Sequence, residues 1–260
     1  MLNDFDVIQH NLPEDIAQIE IAPVSDLHYG DIHANLELWM RFKNWVLSEP
    51  YRYLTIGGDT MNNQLKNSKT NVYEGLRPAD QKKWLANELS ELRDRILCVV
   101  PGNHEKRSAL ETDDEPLYDI CCKIDIEDRY RPNAAFLMVS LGKKENKKPA
   151  FYSICVQHGS GGGVLLGSAL NGSERFANTI DGLDIYISGH VHKNAMGKPA
   201  KLVIDPHNKK VTFKPMLIVV AKPWMNYGGY ALEKRLLPTF IGDNQIITLS
   251  GREKKFTGTI

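Results

Sequence analysis

Short apolar runs alternate with longer amphipathic stretches along most of the chain. Ile19 to Val24 reads as a first buried strand that stops at Ser25-Asp26. From Asn35 to Leu47, Leu36, Leu38, Trp39, Phe42, Val46 and Leu47 recur at helical spacing. Tyr51 to Ile56 predicts a second strand, stopped by Gly57-Gly58. A helix follows over Pro78 to Arg95, with proline at its start and Trp84, Leu85, Leu89 and Leu92 on one face. Ile96 to Val100 is a third strand, ended by Pro101-Gly102. Phe136 to Leu141 and Phe151 to Gln157 form a hairpin candidate around the basic, solvated turn Gly142 to Lys148. Ser173 to Ile180 predicts a short helix and Leu183 to Ile187 a buried strand. Val203-Ile204, Val211 to Phe213 and Met216 to Val220 give a β-rich finish. This order predicts an α/β sandwich over residues 1–260 as one domain, with functional loops at the carboxyl ends of strands.

Composition narrows the function classes. Apolar residues at 42% and charged residues at 25% are ordinary for a folded protein. Lys+Arg and Asp+Glu number 32 each, so no global positive field draws nucleic acid or anionic lipid. No run approaches the roughly 18 apolar residues that a membrane span needs, and the acidic opening Met1 to Asp6 is unlike a secretory signal. Cys98, Cys121, Cys122 and Cys155 form no Cys-x-x-Cys pair, which reads as free thiols in a reducing cytoplasm.

The chemistry collects behind the apolar runs. Asp26-Leu27-His28 follows the first strand and Gly58-Asp59-Thr60-Met61-Asn62 the second. Gly102-Asn103-His104-Glu105 follows the third, His158 a later one, and Gly189-His190-Val191-His192 the strand at Leu183. Loops at one sheet edge would bring two aspartates, an asparagine and five of the eight histidines into one cleft. Carboxylate, carboxamide and imidazole suit Mn²⁺, Fe²⁺ or Zn²⁺, and the absence of thiolate argues against a structural zinc site. A bridging carboxylate and two cations could share a hydroxide and neutralise a phosphate.

These ordered motifs, spanning residues 19 to about 195, resemble those of the calcineurin-like metallophosphoesterases. More loosely, the chain is similar to small members from bacteria and their phages. The resemblance implies a four-layer α-β-β-α sandwich, two packed mixed sheets flanked by helices. It implies a dinuclear centre of two divalent metal ions, Mn²⁺ first and Fe, Zn or Ni next. Asp26, His28 and His192 would hold one metal, Asn103, His158 and His190 the other, and Asp59 would bridge them. A hydroxide shared by the ions would attack a phosphate mono- or diester in line. His104 would stabilise phosphate charge or protonate the leaving oxygen.

Position 62 departs from the motif, which ends in aspartate. Asn62 is expected to orient His104 through its amide oxygen while adding no negative charge, favouring good leaving groups. Asp31 is either a support for this site or a helix-start residue. Lys106, Arg107, Arg175 and the loop Gly159 to Gly163, with Gly161 at its centre, are candidates for phosphate contact. Trp39, Trp45 and Trp84 read as core; the aromatic, glycine-rich stretch Trp224 to Tyr230 reads first as packing and second as a nucleotide-pocket wall. The substrate is a phosphate ester, with nucleotides and nucleic acid included. A DNA- or RNA-processing nuclease and a non-catalytic metal-binding scaffold are the competing readings. Oligomeric state is not legible.

Overall fold

The computed structural model describes residues 3–66, 68, 75–145, 148–161 and 163–260. The strands and helices run β1 (Ile8–Asn11), β2 (Gln18–Val24), α1 (Leu36–Leu47), β3 (Arg52–Ile56), α2 (Pro78–Leu92) and β4 (Ile96–Val99). They continue with α3 (Asn103–Thr112), α4 (Pro116–Lys123), β5 (Ala134–Leu141), β6 (Ala150–Gln157), α5 (Leu166–Ala177) and β7 (Ile185–Ser188). The last are β8 (Ala195–Gly197), β9 (Ala200–Asp205), β10 (Lys210–Pro215), β11 (Leu217–Val220), β12 (Ile246–Ser250) and β13 (Phe256–Thr259).

Two mixed sheets result. One has the order β1-β5-β6-β7-β11-β8 and the other β13-β12-β2-β3-β4. Their inner faces share one apolar core, with Ile19, Ile21 and Leu97 meeting Leu137, Ile154, Ile187 and Val219. Alternation along the strands sends the other face of each sheet to helices. Leu38, Trp39 and Phe42 of α1, Leu85 and Leu89 of α2, and Leu117 and Ile120 of α4 pack on Val24, Leu54, Ile56 and Val99. Ala169 and Ala177 of α5 cover the six-stranded sheet at Cys155, Tyr186, Ile218 and Val220. The expected α-β-β-α layering is therefore present.

Strand polarity positions the site. β2, β3 and β4 run parallel within one sheet, as do β6, β7 and β11 within the other. The loops leaving β2, β3, β4, β6 and β7 carry the sequence motifs, and hydrogen bonds join them across the seam between the sheets. Asn35 caps α1 by accepting from the Leu38 N–H at 2.9 Å. Trp224 is buried against Trp39 and Phe42, which confirms its packing reading.

Three expectations change. The helix placed at Ser173 to Ile180 is α5, which starts at Leu166 despite Gly167 and Gly172. Packing of Ala169, Ser173 and Ala177 against the sheet overrides the poor helix propensity of the two glycines. The helix over Pro78 to Arg95 ends at Leu92 and tightens into a 3₁₀ turn at Arg93–Arg95. β1, α4, β8, β12 and β13 go beyond the sequence expectation; the strands among them are short. Part of the 142–148 turn lies outside the described residues. Among the described residues β9 and β10 pair only with each other, as a ribbon whose Leu202, Ile204, Val211 and Phe213 are exposed.

Ile21 is fully buried between the sheets. Ile21→Ala should lower unfolding free energy by about 2–5 kcal/mol. Chemical denaturation checks this through a shifted midpoint at constant slope.

Candidate metal centre

The motif loops are held together by backbone proximity before any side chain is considered. A Cβ at Gly58 would sit 2.2 Å from the Gly102 nitrogen, and one at Gly102 would sit 2.1 Å from Asp59 Oδ1. A Cβ at Gly189 would lie 2.0 Å from Ser25 Oγ. These glycines let the turns after β2, β3, β4 and β7 touch. The residues beside them are forced into left-handed backbone: Asp26 at φ 59°, His28 at 47°, Asp59 at 49°, His190 at 70° and His192 at 52°. Asp, Asn and His tolerate this region better than other side chains, yet each instance costs on the order of 1–3 kcal/mol.

Glu105 is the main tie. It is 1% exposed and stands at the third position of α3. Its Oε2 accepts from the N–H groups of Gly102 at 2.9 Å and Asp59 at 2.8 Å. Its Oε1 accepts from Thr60 N at 2.7 Å, Thr60 Oγ1 at 2.9 Å and Met61 N at 3.0 Å. One carboxylate thus caps α3 and fixes the whole Asp59 turn. Burial and nearby Asp59 raise its pKa, opposed by these donors. Glu105 belongs to a sequence motif that by itself assigns it no role. Its spacing from Gly102, the carboxylate half of a capping box, was the available signal.

The predicted polar set converges. Asp26 and Asp59 are buried, at 0% and 2% exposure. Asp26 Oδ2 accepts from Ser25 Oγ at 2.6 Å and from His190 N–H at 2.8 Å. His192 Nε2 lies 3.2 Å and His28 Nε2 3.8 Å from Asp26 Oδ1. Asp59 Oδ1 accepts from His104 N–H at 2.8 Å. Asp59 Oδ2 faces His158 Nε2 at 3.3 Å, His104 Nε2 at 3.8 Å and His28 Nε2 at 3.9 Å. Asn103 Oδ1 is 2.9 Å from His190 Nδ1 and 3.1 Å from His158 Nε2. His158 Nδ1 donates to Gly57 O at 2.7 Å, so its Nε2 is the atom aimed inward.

These contacts fit cations. Asp26, His28 and His192 offer ligand atoms within 4.8 Å of one another, as do Asp59, His158 and His190. Asp26 Oδ1 is buried without a hydrogen-bond partner among the described residues and faces only imidazole nitrogens, an acceptor whose surroundings suit a cation. Without metal, protons supply the countercharge. Burial pushes His158 down, but Asp59 and Asp26 outweigh it and hold its pKa at about 9. His28 is likewise raised, against its burial, by Asp26 and Asp59. Burial and the neighbouring His28 push His104 down to about 3. Burial and His158 lower His190.

Other candidates divide. The Asn62 side chain does not orient His104: its Nδ2 donates to Asp31 Oδ2 at 3.1 Å, and its main-chain oxygen takes the His104 Nδ1–H at 2.8 Å. The turn geometry presents carbonyl rather than carboxamide to the imidazole. Half-buried Arg107 reaches the same carbonyl at 3.5 Å, a weak contact. Lys106 is drawn to Asn133 Oδ1 at 2.9 Å. Gly161, at φ 97°, is exposed with open space around it. Arg175 is exposed on α5, and no hydrogen bond or ion pair among the described residues ties it to the cluster.

A family model described as calcineurin-like phosphoesterase matches residues 24–194, the span that holds every converging residue. The chain belongs to that family. It is a metal-dependent phosphoesterase, and its substrate is a phosphate ester. The phosphoesterase is similar to a solved structure from Streptococcus pneumoniae TIGR4, described as a conserved uncharacterized protein and predicted phosphoesterase. Identity is 13%, coverage is 94% of this chain and 99% of that one, and the TM-score is 0.34. No curated protein sequence matches the phosphoesterase. Among its described residues, no helix is long and apolar enough to cross a membrane.

Glu105→Gln puts an NH₂ group against buried N–H donors. It should cost about 1–3 kcal/mol of stability. Thermal unfolding of the metal-free protein checks this.

Proposed function

We propose that the phosphoesterase hydrolyses a phosphate mono- or diester at a dinuclear centre, with Mn²⁺ as the first metal to test. Asp26, His28 and His192 would hold one ion, Asn103, His158 and His190 the other, and Asp59 would serve both. The observation that carries this reading is the pair of buried carboxylates facing five inward imidazoles, with Asp26 Oδ1 turned to the His192 and His28 rings and taking no hydrogen bond among the described residues. Two divalent ions there would supply Lewis acidity toward phosphate oxygens and toward solvent.

The chain's own groups prepare the reaction. The Glu105-braced turn holds Asp59 fixed, and the N-terminus of α3 adds partial positive charge beside it. His104 keeps its Nδ1–H on the Asn62 carbonyl, so Nε2 is the atom turned to the pocket. A proton taken up at Nε2 as an anionic ester arrives would be passed to the departing oxygen. Its low intrinsic basicity makes it a strong acid once protonated. Oxyanions that need little help to leave would depend on it least.

Reconstitution with Mn²⁺, Ni²⁺, Zn²⁺ or Mg²⁺ and assay on p-nitrophenyl phosphate and bis-p-nitrophenyl phosphate test the reading. Asp59→Asn should remove at least about 10³-fold in kcat, since one substitution disables both ion positions. Metal analysis should find fewer than two ions per chain in that variant. Full activity in Asp59→Asn would refute the shared role.

Metal uptake has a pH signature. An imidazolium cannot ligate, and His158 keeps its proton up to about 9 in the metal-free protein. Each ion bound there must expel that proton. Apparent Mn²⁺ affinity should therefore rise with pH up to about 9 and level off above it. Competition against a chelating dye at several pH values measures it.

A further inference from the structure

We infer that Asp31 is a positioning residue for His104, acting through Asn62; this rests on the proposed role of His104 as proton donor. His104 is oriented by a peptide carbonyl, Asn62 O, at 2.8 Å from Nδ1. A carbonyl can steer an imidazole only as firmly as its own residue is held. Asn62 is held by its N–H on Tyr29 O at 2.9 Å and by its Nδ2 on Asp31 Oδ2 at 3.1 Å. The following N–H, of Asn63, donates to Gln81 Oε1 at 2.8 Å. Of these anchors only Asp31 is charged, and hydrogen bonds to ionised acceptors are the stronger kind.

Asp31 is itself fixed. Its Oδ1 accepts from His33 N–H at 2.8 Å, closing a local turn that leaves Oδ2 for Asn62. A carboxylate has no donor, so it can capture only the NH₂ end of the Asn62 amide. That sets the amide away from His104 and leaves the carbonyl as the imidazole's partner. The negative charge that the sequence motif would place at position 62 thus stands one side chain further out, at position 31.

This arrangement penalises the substitution that restores the motif. Asn62→Asp alone would set two carboxylates against each other at the present 3.1 Å contact. It should impair the enzyme. Exchanging the pair, Asp31→Asn together with Asn62→Asp, keeps one donor, one acceptor and one charge, and still offers an acceptor to His33 N–H.

The experiment uses the metal-reconstituted full chain with phenyl phosphate and p-nitrophenyl phosphate, which differ in their need for a proton on the leaving oxygen. Asp31→Asn should lower kcat about tenfold on phenyl phosphate and less than about threefold on p-nitrophenyl phosphate, with KM little changed. Asn62→Asp should do the same or worse. The exchanged pair should return to within about threefold of the parent on both substrates. In the metal-free protein, the hydrogen bond to Asn62 O should protect the His104 Nδ1–H proton from exchange and give it a resolved resonance, which should weaken in Asp31→Ala and reappear in the exchanged pair. Equal losses on both substrates, or an exchanged pair as poor as the single variants, would overturn the assignment. His104→Ala separates proton donation by His104 from its positioning by Asp31. If it shows no leaving-group dependence, the proton-donor reading falls, and the resonance alone judges whether Asp31 holds the imidazole.

Discussion

Two carboxylates, Asp26 and Asp59, are buried where the two sheets meet, and the rest of the site answers that fact. An ionised carboxylate taken from water without compensation is too costly for a fold to carry. Here compensation is divided. Backbone N–H groups of His190 and His104 and the Ser25 hydroxyl satisfy one oxygen of each acid. The other oxygens face imidazoles, whose pKa values diverge accordingly: His28 and His158 rise, while burial pushes His104 and His190 down. Proton and cation are thus alternative occupants of one electrostatic demand.

The backbone bears part of the cost. Five of the converging residues adopt left-handed φ, and glycines at 58, 102 and 189 are crowded by neighbouring loops. Strain of this kind persists only when surrounding contacts over-determine it. Glu105 supplies much of that over-determination, because a single side chain engages three consecutive residues of the Asp59 turn and the start of α3. Its burial is costly in isolation, but five donors meet it.

Much of this was legible in residues alone. Asp26, His28, Asp59, Asn103, His104, His158, His190 and His192 each follow an apolar run, and parallel strands deliver them to one place. α1 and α2 were readable because their apolar faces repeat at helical spacing over several turns. Less was legible where tertiary packing decides. Ile8–Asn11 is too short and too polar to show a period, yet it pairs in register with β5. Gly167 and Gly172 masked the first half of α5. The orientation of Asn62 could not be read, since it depends on Asp31 reaching across from another loop. Gly161 and Arg175 illustrate the opposite error: suggestive types near a motif in sequence, left exposed and untied by the fold.

The converging residues come from both halves of the sandwich. Asp26, His28, Asp59, Asn103 and His104 follow strands of one sheet, whereas His158, His190 and His192 follow strands of the other. Any ion gripped from both sides is consequently a rivet through the seam. Occupancy and cohesion of the two layers become one thermodynamic quantity, so heat resistance would track how fully the centre is loaded.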